Sequence, residues 1–285
     1  MKNKIIVFIT STVLLTTVLA LLVGFVVPSK KYDFPLEPQK MNITIVGDSL
    51  FCNISDYNPS LAEYLADKTG CEMQNCSIGG TTAVKLNNGK EVDYYSDKLN
   101  FYNISNMICS GNISTVTDDV KNLSVIFPDS YVKIKFLVGT DMDKEDYLIV
   151  CYGINDAFMR IPAKSDDPYD ENTYSGAIRR GVERINKKYP DLKIILCEQT
   201  ASSLIQNGEA DEYFDSVTAD YKKEYNDELK KISEEYNNVY FFEVSDTFSP
   251  VNPDYEQYFS DGIHLNGEGK DLYSSQLAEF IGELE

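Results

Sequence analysis

Apolar and polar positions divide this chain into two kinds of block. Ile43-Thr-Ile-Val46, Tyr147-Leu-Ile-Val-Cys-Tyr152, Leu192 to Cys197 and Val239-Tyr-Phe-Phe242 are short, nearly continuous apolar runs. Their length and β-branched content predict strands buried on both faces. Between and after them lie longer stretches with apolar residues at helical spacing. Tyr174, Ile178, Val182 and Ile185 precede Pro190, and Tyr273, Leu277, Phe280 and Ile281 lie near the end. These predict amphipathic helices over Glu171–Lys188 and Glu268–Leu284.

The remaining elements follow from punctuation. The strand over residues 42–47 ejects into Gly47-Asp-Ser-Leu50. Asn58-Pro59 predicts a helix start, N-cap then proline at the first helical position, with Gly70 as its stop. A second strand is expected over 72–77, before Gly79-Gly80-Thr81-Thr82. From Ala83 to about residue 130 the periodicity weakens, which predicts a partly helical insertion lying over the sheet edge. Tyr131-Val-Lys-Ile-Lys-Phe-Leu-Val138 alternates apolar and polar positions and predicts an exposed edge strand. Asp211–Asn237 predicts a charged helix or helix pair. Strands alternating with helices predict an α/β fold with a doubly wound, central parallel sheet.

The chain's beginning has a different character. Lys2 and Lys4 precede an uncharged run from Ile5 to Pro28, long enough to span a bilayer as a helix and longer than the apolar region of a cleaved signal. The expected organisation is an N-terminal membrane anchor over 1–31, a proline-containing linker over 32–41 and one α/β domain over 42–285. The short lysine-bearing tail is the cheaper side to leave in the cytoplasm, which places the domain outside the cell membrane. Secretion after signal cleavage is the alternative. The formal net charge of -19 argues against nucleic acid or an anionic bilayer surface as a partner.

Six cysteines, with no Cys-x-x-Cys pair, disfavour zinc or thioredoxin chemistry. Cys151 and Cys197 read as buried thiols; Cys71 and Cys76 are candidates for a disulfide if the domain is exported. Asp141-Met-Asp-Lys-Glu-Asp146 lacks the glycine and terminal glutamate of a calcium loop and reads as a turn. Arg179, Arg180, Arg184, Lys187 and Lys188 read as the solvent face of a helix.

His264 is the only histidine, so a site built from several histidines is excluded and any histidine base is this one. Asp261 lies three residues before it. That offset lets the carboxylate fold back onto one ring nitrogen and leaves the other to take a proton. Asn266-Gly-Glu-Gly269 reads as the cap of the last helix. Ser49, at the end of a predicted buried strand, is the matching nucleophile, inert without such a base. The tetrahedral oxyanion it would create needs preorganised donors. The backbone N–H groups of Ser49 and Gly80 and the side-chain amide of Asn155 all follow predicted strands and could converge on one sheet edge.

Gly47-Asp-Ser-Leu50, Asn75 to Gly80 with Thr81, Gly153-Ile-Asn-Asp156 and Asp261-Gly-Ile-His264-Leu-Asn266 together resemble the four blocks of the SGNH, or GDSL, esterases and lipases. The resemblance spans residues 42–269. It implies a flavodoxin-like three-layer α/β/α fold, Ser49 as nucleophile, His264 as base, Asp261 as its orienting acid, and Gly80 and Asn155 as oxyanion donors. No cofactor and no metal are implied. The expected activity is hydrolysis of short acyl esters, such as acetyl groups on a carbohydrate or envelope glycan, through an acyl-serine intermediate. The rivals are a lipase or thioesterase, an acyltransferase on the same fold, and an anchored binding protein without turnover. The long gap between Gly80 and Gly153 and the N-terminal segment distinguish the chain from compact members.

Overall fold

The computed structural model describes residues 40–52, 59–86, 97–113, 129–200, 205–206, 209–210, 212–244, 246–248 and 254–285. The predicted anchor, nearly all of the linker and Asn58 lie outside these residues. No helix among the described residues is long and apolar enough to cross a membrane.

Five parallel strands form the sheet. They are β1 (Asn42–Gly47), β2 (Glu72–Asn75), β3 (Tyr147–Cys151), β4 (Lys193–Cys197) and a last strand, β7 (Val239–Phe242), in the spatial order β2-β1-β3-β4-β7. Two short strands, β5 (Ile205–Gln206) and β6 (Glu209–Ala210), form a separate antiparallel pair in a stretch expected to be a loop. Ile43 of β1 pairs with Met73 on one side and Tyr147 on the other. The chain moves outward from β1 to β2, then returns to the far side of β1 with β3. That reversal opens a crevice at the carboxyl ends of β1 and β3, where open α/β sheets bind their ligands.

Strand alternation divides the core in two. Val46, Leu148, Val150, Ile194 and Leu196 face one layer. It is built by α2 (Phe101–Ser110), α3 (Ser130–Gly139), the short α4 (Ile154–Phe158), α5 (Tyr174–Lys188) and α6 (Glu212–Glu234). Ile43, Ile45, Ile149, Cys151, Ile195 and Cys197 face the other, built by α1 (Leu61–Thr69) and α7 (Gly267–Glu283). The three-layer α/β/α arrangement implied by the resemblance is present.

Caps fix where these helices begin. Ser60, not Asn58, caps α1, closing a capping box with Glu63, and Gly70 ends the helix in the left-handed region at φ 67°. Thr173 caps α5, and Asn266 caps α7 by accepting from the Gly269 N–H.

Other expectations are corrected as well. Residues 131–138 belong to helix α3, not an edge strand. Ile134 and Leu137, one helical turn apart, are buried, while Val132 and Phe136 stay exposed. The described part of the insertion lies on a sheet face rather than over its edge. Leu99, Phe101 and Ile104 enter the core cluster, and α2 packs on α5 where Gly181 leaves room for the Phe101 ring. The basic run on α5 is not wholly solvated. The Arg179 side chain is only 6 % exposed and pairs with Glu235, and Arg184 donates to Tyr102 O and Ser105 Oγ of α2. Long stems lie along apolar surface while the guanidinium finds acceptors.

The cysteines are free thiols. Cys76 packs in the first core cluster and Cys71 against the second, on opposite faces of the sheet, so the candidate Cys71–Cys76 bridge is not formed. The acidic turn at 141–146 is structural. Glu145 accepts from Thr44 Oγ1 and Asp146 from the Asn42 N–H, tying β3 to β1.

Candidate active site

The β1 strand ends at Gly47 because its backbone runs hard against β3. A Cβ there would lie 2.7 Å from Cys151 O. The Asp48 N–H donates to that same oxygen at 3.1 Å, and Ser49 follows, half-buried at the crevice. Asp48 turns inward and is fully buried, accepting from the Leu50 N–H and from Gln199 Nε2. Burial pushes its carboxyl up to about 7; bonds from Leu50, Gly153 and its own N–H oppose that push, and nearby Asp156 adds to it.

The loop after β2 is held to the serine loop by the Gly47 carbonyl. It accepts the Ile78 N–H at 2.9 Å and Thr81 Oγ1 at 3.3 Å. Gly80 lies in this turn at φ 72°, a conformation that favours glycine. The loop after β3 holds the other side. Gly153 takes φ 145° and starts α4, whose Asn155 donates from Nδ2 to Thr81 O at 2.9 Å. That bond orients the amide, which carries a second N–H. Asp156, also fully buried, accepts from the Ala83 and Val84 N–H groups. Burial pushes its carboxyl to about 7 despite those bonds. The Asn155-Asp156 pair thus clamps residues 81–84 to the end of β3.

The last loop is closed on itself. Phe259 and Leu265 form an antiparallel bridge, and both are buried in the same cluster as Leu50 and Phe51 of the serine loop. Within it, Asp261 Oδ1 accepts the Ile263 and His264 N–H groups at 3.0 and 2.7 Å, and Oδ2 lies 2.6 Å from His264 Nδ1. Partial burial raises the Asp261 carboxyl, but the bonds from the His264 ring and the two N–H groups outweigh it and hold it below its usual value. An ionised carboxylate on Nδ1 favours the proton there, leaving Nε2 as the basic nitrogen.

The structure therefore brings Asp261 and His264 into direct contact. It gathers the Ser49, Gly80 and Asn155 loops at the carboxyl ends of adjacent strands β1, β2 and β3. Two buried acids, Asp48 and Asp156, and the linking hydroxyl of Thr81 were not assigned roles from sequence. Their signal is position alone: each directly adjoins a residue already singled out or lies within its loop.

A family model for GDSL-like lipases and acylhydrolases matches residues 45–272. The chain belongs to that family. Its hydrolases act on ester bonds, and Ser49, Gly80, Asn155, Asp261 and His264 all fall within the match. A comparison with curated proteins returns no significant match. Among solved structures, a Parabacteroides merdae protein named as a GDSL-like lipase is similar, at 16% identity and TM-score 0.51, over 85% of this chain and 96% of that one. A Chitinophaga pinensis protein named as a possible lipase is 15% identical with TM-score 0.53, over 86% and 99%. A Lactobacillus plantarum protein is 14% identical with TM-score 0.54, over 86% and 97%. At such identities the likeness is one of fold.

Proposed function

We propose that this GDSL-family chain is a serine esterase in which Ser49, His264 and Asp261 cleave short acyl esters. The observation that carries the reading is the bond between Asp261 Oδ2 and His264 Nδ1, in a loop whose Phe259 and Leu265 pack in one cluster with Leu50 and Phe51 of the serine loop. His264 Nε2 takes the Ser49 Oγ proton as Oγ bonds the acyl carbon. The Ser49 and Gly80 N–H groups and the Asn155 amide receive the oxyanion. Collapse expels the alcohol, which takes the proton from His264. Water then repeats the sequence on the acyl-serine and releases the acid.

The strongly negative chain disfavours anionic substrates, which supports a neutral ester such as an acetylated sugar. The domain stands outside the cell membrane on an N-terminal anchor, a reading supported by Lys2, Lys4 and the apolar run from Ile5 to Pro28. The test is hydrolysis of p-nitrophenyl acetate by the detergent-solubilised full chain beside Ser49→Ala, followed by longer acyl chains. Turnover that vanishes in the variant and falls beyond about four carbons supports the reading. Equal background rates in the two proteins overturn it.

A further inference from the structure

Helix α3 sends one charged side chain back towards the site. Lys133, whose side chain is 12% exposed, is nearly buried, unusual for a lysine unless it is paired. Its ammonium has three hydrogens and three partners. Asp129 Oδ2 lies at 2.8 Å, Ser77 O at 2.9 Å and Cys52 Sγ at 3.6 Å. Asp129, four residues earlier, is the N-cap of the same helix. Cys52 lies three residues beyond Ser49, and its sulfur also faces the Gly79 N–H. Ser77 opens the loop that carries Gly79 and Gly80. One cation thus touches both the nucleophile loop and the loop holding a proposed oxyanion donor.

The contact at Ser77 propagates. Its carbonyl belongs to the peptide whose N–H, on Ile78, donates to Gly47 O at 2.9 Å. A positive charge on the carbonyl end of a peptide polarises the N–H end and strengthens its bond. Gly47 O also takes Thr81 Oγ1, Ile78 O takes the same hydroxyl at 2.7 Å, and Thr81 O takes Asn155 Nδ2. Hydrogen bonds joined through the Ser77–Ile78 peptide and the covalent frame of Thr81 therefore connect Lys133 to Asn155, with Ile78 and Thr81 flanking the Gly79-Gly80 turn.

We propose that Lys133 is a positioning residue for the oxyanion donors, reaching them through the Ser77–Ile78 peptide. The proposal rests on the serine-esterase reading above. It gives the long segment between β2 and β3 a part in the chemistry, because α3 lies within it.

The test compares wild type, Lys133→Met and Lys133→Arg as full chains, with Ser49→Ala as control. Steady-state hydrolysis of p-nitrophenyl acetate and inhibition by phenylboronic acid, whose tetrahedral adduct occupies the oxyanion site, are both read. Lys133→Met should lower kcat roughly tenfold with KM changed less than about twofold, and should weaken the boronate by the same factor as kcat/KM. Lys133→Arg, which restores charge and donors, should lie between. A folded Lys133→Met with wild-type kcat and boronate affinity overturns the proposal, as does a loss confined to KM. If Lys133→Met does not fold, Lys133→Gln carries the test with the same opposed outcomes. Should wild type show no Ser49-dependent turnover, the esterase reading fails and this proposal falls with it. Ser49-dependent turnover untouched by the Lys133 variants removes this proposal alone.

Discussion

Asp261 grips His264 twice. One carboxylate oxygen lies 2.6 Å from the ring nitrogen Nδ1, and the other accepts the histidine's own backbone N–H at 2.7 Å. Side chain and main chain are oriented by one group, so ring direction and tautomer are set together. Asp261→Asn keeps the size but loses the charge, and its amide can present an N–H to Nδ1, favouring the wrong tautomer. The expected loss in kcat is about 10³–10⁴-fold. Ester hydrolysis measured beside circular dichroism checks it, and a folded variant within tenfold of wild type sinks the assignment.

Asn155 donates to Thr81 O, which points its amide across the crevice. Asn155→Ala should reduce kcat by about 10²–10³-fold with little change in KM, since the lost bond forms mainly in the transition state. A change in KM alone would move Asn155 from oxyanion stabilisation to substrate binding.

Asp48 gives a pH signature. Its native carboxyl is pushed up to about 7 from 3.8. The folded state therefore holds a proton that the unfolded chain releases above about pH 4. This contribution to stability is complete below that pH and is lost as pH rises through about 7. Asp48→Asn removes the titration. Its melting temperature should fall less between pH 4 and 8 than that of wild type, and parallel curves would show that the carboxyl is ionised throughout. Asp156, also near 7, contributes in the same direction in both proteins.

Gly176 on α5 tests the packing. A Cβ there would sit 2.0 Å from Asp170 O, a backbone atom that cannot swing aside. Gly176→Ala should cost about 1–3 kcal/mol in a urea titration, and Gly282→Ala, where a Cβ meets nothing within 4 Å, should cost nothing measurable or add slightly to stability. Equal midpoints for the two variants would contradict the local packing.

What could be read from the residues alone follows the range of each interaction. The β3 strand is apolar on both faces, and its register with β1 and β4 buries all of it. Asp261 and His264 are three residues apart, so their contact follows from a local turn. Over α3, Val132, Ile134 and Phe136 satisfy a period of two and so predict a strand, while the burial that decides the matter is at Ile134 and Leu137. Arg179 looked solvated because its partner, Glu235, is 56 positions away. The clamp of Asn155 on Thr81, 74 positions apart, likewise needs the fold before it can be seen.

Because β1 is flanked by β2 and β3, the bond from the Asn42 N–H to the Asp146 carboxylate closes a segment of 104 positions. During synthesis the serine's strand emerges early but waits until more than half the chain has been made before its central partner arrives. Closing so long a loop is costly, yet each further doubling adds only about 0.6 kcal/mol. Length between β2 and β3 is therefore cheap to gain, and that crossover can vary without disturbing the strand order beneath it.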